Sequence, residues 1–218
     1  VIAGTGSNNT SETVRFSMEV EKLGVDGLLV VTPYYNKAND AGFIQHFESV
    51  ANAVHVPIIL YNVPGRTGCS IPVDVVKHLS NHKNIVALKE ASGDLSYAAK
   101  VASIVDKDFL LFSGNDDIVL PILSLGGVGV ISVAANVIPT EFSEMVEAYT
   151  SGNITKARHI QLHYMELINS LFIETNPIPV KAVLNLMGKA VGGFRLPLCE
   201  PSEPVQQIPV DVVRKYNL

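Results

Sequence analysis

Six times within residues 1–134 a short run rich in Val, Ile and Leu is followed by a longer stretch of mixed polarity, and few folds accommodate that rhythm. Runs this short and this apolar suit strands buried on both faces, the environment of a parallel sheet. A parallel strand reaches its neighbour only through a crossover of about a dozen residues or more, and the amphipathic stretches supply those crossovers as helices. The candidate strands are VIAG at 1–4, GLLVVTP at 27–33, PIILYNV at 57–63, IVALKEA at 85–91, FLLFSG at 109–114 and GVGVISVA at 127–134. The candidate helices are Ser11 to Leu23, Ala41 to Ala53, Pro72 to Leu79, Leu95 to Val105 and Asp117 to Leu125. A helical tail runs from Pro139 to roughly Gly188, and the proline-rich segment RLPLCEPSEPVQQIP precedes one last short helical stretch. No low-complexity linker interrupts the chain. It therefore reads as one α/β domain, with residues 1–138 forming the strand-and-helix part and 139–218 a helical region packed on it.

Two architectures are built from such units, an open doubly wound sheet and a closed eightfold barrel. A doubly wound nucleotide binder should carry G-x-G-x-x-G where a strand turns into a helix. The segment GTGSNN has Gly4 and Gly6 but Asn9 where a third glycine belongs, and GGVGV at 126–130 precedes a strand. The barrel is favoured, because polar residues recur at the ends of successive strands: Thr32 and Tyr34, Tyr61 and Asn62, Lys89 and Glu90, Ser113 and Asn115. In barrels of this kind the active site lies at the carboxyl ends of the strands.

Among those residues Lys89 is the most informative. It follows Ile85, Val86, Ala87 and Leu88, at the end of a run expected to be buried. A strand-end lysine ordinarily lays its stem over apolar surface and keeps its ammonium in water. The alternative is a lysine held partly out of water, so that its neutral amine can attack a carbonyl carbon. The residue alone leaves both open.

Composition narrows the partners. With 218 residues, 47% of them hydrophobic, and a net charge of −5, the chain can bury a sizeable core and offers no basic surface for nucleic acid or anionic lipid. No apolar run is long enough to span a membrane, and the opening VIAGTGSNNT lacks the pattern of a signal peptide. The two cysteines, Cys69 and Cys199, match no metal-binding spacing and suit free thiols in a cytoplasmic setting. The pairs His78/His82 and His159/His163 have helical i, i+4 spacing without the glutamate of H-E-x-x-H, so solvated helix faces are expected and no metal.

The motifs TPYYNK, LYNVPGRTG, LKEASGD and LFSGND, with NPIPVKAVLNLMG nearer the end, stand in the order found in dihydrodipicolinate synthase, within the N-acetylneuraminate lyase superfamily of pyruvate-dependent aldolases. The resemblance covers essentially the whole chain. It implies a (β/α)8 TIM barrel in which this chain lacks the first two βα units, with a C-terminal helical extension. It also implies an enzyme that condenses pyruvate with aspartate semialdehyde in lysine biosynthesis. Lys89 would form a Schiff base with pyruvate, needing no further cofactor, because the iminium serves as the electron sink. Tyr61 and Tyr35 would relay protons, Tyr35 by crossing a dimer interface, so a homodimer or homotetramer is expected. Arg66 would bind the carboxylate of the aldehyde substrate in two parallel hydrogen bonds, and Gly114 and Ile131 would shape the pyruvate pocket. Asn8, Glu12 and Tyr34 match part of a lysine feedback site.

The chain opens without Met, inside what reads as a strand, and the Gly-Thr-Thr-Gly-Glu loop that contacts the pyruvate carboxylate in the family has no counterpart in it. Activity well below that of a full-length relative is therefore expected. Two other readings remain. Another pyruvate aldolase acting on a sugar acid would keep its substrate preference in Arg66→Ala, and in a non-catalytic scaffold or assembly partner that keeps these residues as remnants Lys89→Ala would change stability or association but no reaction.

Overall fold

A computed structural model describes the backbone of residues 1–218 and every side chain except that of Pro204. The chain divides into two compact units, Val1–Ile131 and Ser132–Leu218.

The first unit holds a six-stranded parallel sheet: β1 (Ile2–Gly4), β2 (Gly27–Val31), β3 (Ile58–Asn62), β4 (Ile85–Glu90), β5 (Leu110–Ser113) and β6 (Gly129–Val130). Its helices are α1 (Thr10–Glu21), α2 (Asp40–Ala53), α3 (Pro64–Thr67), α4 (Val73–Leu79), α5 (Leu95–Ala102) and α6 (Val119–Ser124). The strands pair in sequence order, β1 to β6. A doubly wound sheet must reverse its strand order at a switch point, so an order without reversal is that of a barrel. The six strands account for that part of an α/β barrel.

Local chemistry places the helices. Asn9 accepts from the backbone of Glu12 at 3.1 Å to open α1, and Asn39 accepts from Gly42 at 2.9 Å to open α2. Asp94 takes the backbone N–H groups of both Ser96 and Tyr97 to open α5. Each cap satisfies donors that the first helical turn leaves unpaired. On α2 the buried residues Phe43, Phe47, Val50 and Ala51 form one stripe. They pack with Val75, Val76 and Leu79 of α4 and Ala98 and Val101 of α5 against Leu28, Val30, Ile58, Leu60, Leu88 and Leu111 of the sheet. Successive side chains of a strand point to opposite faces. The core thus claims one face of the sheet, and the other carries Leu29, Val31, Ile59, Tyr61, Ala87 and Lys89.

Two expectations from the pattern need correction. The run at 127–134 forms only the two paired residues of β6, because Ser132 turns the chain by accepting the Ala135 N–H at 2.8 Å, ahead of a 3-10 turn at Ala134–Asn136. The segment after β3, which the sequence pattern assigns to neither strand nor helix, contains the one-turn helix α3, since Pro64 brings a helical φ and Gly68, at φ +75°, ends the turn in the left-handed region.

The second unit is helical, with α7 (Pro139–Thr150), α8 (Ile154–His163), α9 (Met165–Ser170), α10 (Ile178–Leu186) and α11 (Glu203–Tyr216). At 14 residues α11 is longer than the short stretch expected. Among the described residues, no helix is long and apolar enough to cross a membrane.

Candidate active site

Lys89 and Tyr61 are paired in register on β4 and β3, so their side chains rise on the same face of the sheet. The Lys89 Nζ lies 4.2 Å from the centroid of the Tyr61 ring. Burial holds the Lys89 pKa below its ordinary value, the Arg66 guanidinium pushes in the same direction, and the Asp116 carboxylate works against both. Burial likewise raises the Tyr61 pKa, with Arg66 opposing. Lys89 is therefore easier to deprotonate than a free lysine, while Tyr61 keeps its proton more firmly than a free phenol.

Arg66 comes from α3 immediately after β3. Together with Tyr61, Tyr34, Val63, Thr67, Leu29, Val31, Gly4 and Gly6 it lines an open cavity of about 360 Å³. Gly6 is required there. A Cβ at that position would lie 2.5 Å from the Val31 nitrogen and 2.9 Å from its side chain. This is the function of the second glycine in GTGSNN, which motif spacing could not assign.

Gly114 follows β5, and its N–H donates to the Glu90 carbonyl at 2.6 Å. A Cβ at Gly114 would stand 2.5 Å from Ala91 Cβ and 3.1 Å from Lys89 Cε, so glycine keeps the lysine side chain uncrowded. Ile131 continues the pairing of β6, donating its N–H to Ser113 at 2.9 Å.

Tyr35 lies apart from this cluster in exposure, at 90%. Its φ is +71°, and the Asn36 N–H donates to the Tyr34 carbonyl at 2.9 Å, closing a tight three-residue turn that a non-glycine residue enters only with strain. Asn36 also donates its side-chain amide to the Asn8 carbonyl at 3.0 Å, which ties this turn to the segment preceding α1. Glu12 is exposed in the first turn of α1, and Tyr34 is 42% exposed at the cavity.

Three participants escaped the sequence reading. Asp116, the last residue of the LFSGND motif, is buried in the 3-10 turn after β5, and nothing in the motif signals that its charge would reach Lys89. Asn62 and Glu90 were visible only as polar strand ends, yet their side chains meet at 2.7 Å in the interior. The other candidates stay separate. His78 and His82 hydrogen-bond to Glu48 and Asn52, and His159 stacks on His163. Among the described residues no group of three or more His, Cys, Asp or Glu side chains could hold a metal ion. Cys69 and Cys199 are free thiols.

The fold and site together define an α/β-barrel protein with a partly desolvated lysine at a strand end, the arrangement of a Schiff-base-forming enzyme. The chain belongs to the dihydrodipicolinate synthetase family of lyase-type enzymes, whose pattern matches residues 1–215. The 4-hydroxy-tetrahydrodipicolinate synthase of Thermoanaerobacter sp. (strain X514) is 52% identical over 219 residues, covering 100% of this chain and 74% of the relative. Dihydrodipicolinate synthase from Cyanidioschyzon merolae, solved with lysine bound, superposes with a TM-score of 0.96 at 44% identity, over 100% of this chain and 74% of that one. A structure described as the first monomeric dihydrodipicolinate synthase variant gives 0.97 at 40% identity, over 100% and 74%.

Proposed function

We propose that this protein condenses pyruvate with L-aspartate 4-semialdehyde to 4-hydroxy-tetrahydrodipicolinate, the entry reaction of the lysine pathway, through a Schiff base on Lys89. The observation that carries this reading is the lowered pKa of Lys89 at 4.2 Å from the Tyr61 ring, within electrostatic reach of Arg66. The names of the relatives support the substrates.

In this mechanism the neutral Lys89 amine adds to the keto carbon of pyruvate, and loss of water leaves an iminium. The iminium draws electrons from the adjacent methyl group, which releases a proton and becomes an enamine carbon able to attack the aldehyde. Tyr61, whose phenol stays protonated at neutral pH, delivers and recovers protons above Lys89. The Arg66 guanidinium holds the carboxylate of the incoming semialdehyde at the cavity mouth. Gly114 and Ile131 leave room for the pyruvate methyl.

Four finer points belong to the same proposal. The strands β1–β6 correspond to the third to eighth of a TIM barrel, in keeping with a chain that spans about three quarters of its relatives. Residues 1–218 alone turn over well below a full-length relative, since the pyruvate-carboxylate loop has no counterpart among them. The protein works in the cytoplasm as a homodimer or homotetramer in which the strained turn aims Tyr35 into a partner's site. Asn8, Glu12 and Tyr34 contribute to lysine binding, as lysine is bound in the related enzyme from Cyanidioschyzon merolae.

Borohydride trapping with pyruvate, read by intact mass and peptide mapping, tests the central claim. An adduct confined to Lys89 and missing from Lys89→Ala is expected. No adduct at saturating pyruvate would overturn it.

A further inference from the structure

One residue beyond the Tyr61–Lys89 pair, Asn62 and Glu90 are also in register on β3 and β4, so their side chains point to the opposite face of the sheet. Asn62 is fully buried and Glu90 is 2% exposed. The Asn62 Nδ2 donates to Glu90 Oε2 at 2.7 Å, and Asn62 Oδ1 accepts from the Ile71 N–H at 3.0 Å. The second oxygen of Glu90 accepts from the Ser92 N–H at 2.6 Å. Both ends of each side chain are therefore engaged.

What these bonds connect matters more than their number. Ile71 closes the segment 63–71 that carries Arg66, and its carbonyl is held from the other side by the Tyr97 hydroxyl at 2.7 Å. Ser92 lies three residues beyond Lys89, and Gly114, where a Cβ would stand 3.1 Å from Lys89 Cε, donates its N–H to the Glu90 carbonyl at 2.6 Å. A buried carboxylate is costly, and an apolar pair of similar volume would stabilise the fold as well or better. Burial raises the Glu90 pKa, and the hydrogen bonds from Ser92 and Asn62 oppose it, so keeping an ionisable group here calls for a positional reason.

We propose that Asn62 and Glu90 are positioning residues for the reaction, a buried amide–carboxylate clamp that fixes the Arg66 segment relative to the strand end bearing Lys89. The proposal rests on the reading of Lys89 as nucleophile and Arg66 as carboxylate binder. Neither clamp residue touches substrate. Together they set the separation of the two groups that do.

The clamp has a polarity that can be reversed. In Glu90→Gln a single oxygen must serve two donors, and amide faces amide. In Asn62→Asp two carboxylates face each other. In the double variant N62D/E90Q the Gln amide donates to Asp, the Asp oxygen still accepts from Ile71, and the Gln oxygen still accepts from Ser92. The parent and all three variants would be measured for pyruvate trapping at Lys89, for the pH profile of Lys89 modification by an amine-acylating reagent, and for melting temperature. Each single change should slow trapping by about tenfold or more and displace the Lys89 profile, and the double variant should return to within about threefold of the parent. Singles that lose stability while keeping the parent's trapping rate and Lys89 profile would assign a structural role only and overturn the proposal. A double variant no better than its slower single would also overturn it. If the parent itself traps no pyruvate, the Schiff-base reading falls, and the Lys89 modification profile still decides the clamp.

Discussion

His46 offers a quantitative check on the packing of α2 against α1. Its ring is 3% exposed and edge-on to Phe47, with Nδ1 at 2.9 Å from Thr10 Oγ1 and Nε2 without a partner. Burial lowers its pKa from 6.5 to about 4. As pH falls through 6.5 the unfolded chain gains a proton at this residue, whereas the folded chain gains one only near 4. The unfolded state then binds more protons, so the contribution is fully present above pH 6.5 and is lost on descending to about 4. At about 1.4 kcal/mol per pH unit the whole interval amounts to about 3 kcal/mol, with about 2 kcal/mol already lost at pH 5. That is a large fraction of a typical folding stability of about 5–15 kcal/mol. Urea unfolding at pH 7.5 and pH 5 on the parent and on His46→Leu measures it. The other charged groups, including the His55–Glu21 and His78–Glu48 pairs, are common to both proteins and cancel in the difference. The parent should lose about 2 kcal/mol more than the variant. His46→Gln, which keeps a polar group for Thr10, serves if the leucine variant folds poorly. Equal losses in parent and variants would refute the argument that burial, rather than exposed charge, sets the acid limit.

Other expectations bear on the site. Gly114→Ala should destabilise by about 1–3 kcal/mol and slow pyruvate trapping by about a hundredfold, because the new methyl must displace Ala91 or the lysine stem; calorimetry and trapping kinetics read the two effects. The Lys89 modification profile should move to higher pH in Arg66→Ala, which removes a neighbouring cation, and to lower pH in Asp116→Asn, which removes an anion; shifts of the same sign would contradict the electrostatic assignment. Phe47→Ala should cost about 3–5 kcal/mol in urea unfolding, since the ring is fully buried between helix and sheet.

The parallel sheet and its strand ends were legible because the signals are local: short apolar runs such as Leu28–Val31 and Ile85–Leu88, and a lysine or tyrosine placed at their ends. Lys89 and Tyr61 met as expected, since parallel strands bring corresponding ends to one edge. The clamp was not legible. Whether a strand-end residue faces the cavity or the helices depends on register, and β3 and β4 shift register between Ile58 and Ile59, a displacement with no sequence marker. The short helix at Pro64–Thr67 was hidden because four residues hold too little periodicity to separate helix from turn. Pro209, inside α11, broke the pattern that would have shown its length. The reach of Asp116 to Lys89 is a distance across strands, and spacing along a chain does not report it.

The uninterrupted strand order has a consequence for how the protein comes into being. Each strand of the first unit bonds only to the strands just before and just after it. During synthesis, each strand from β2 to β6 finds a docking edge already formed by the one before it. The site ripens in steps along the chain. Tyr61 precedes Lys89, the segment carrying Arg66 is pinned only when Glu90 and Tyr97 follow, and Gly114 closes over the lysine later still.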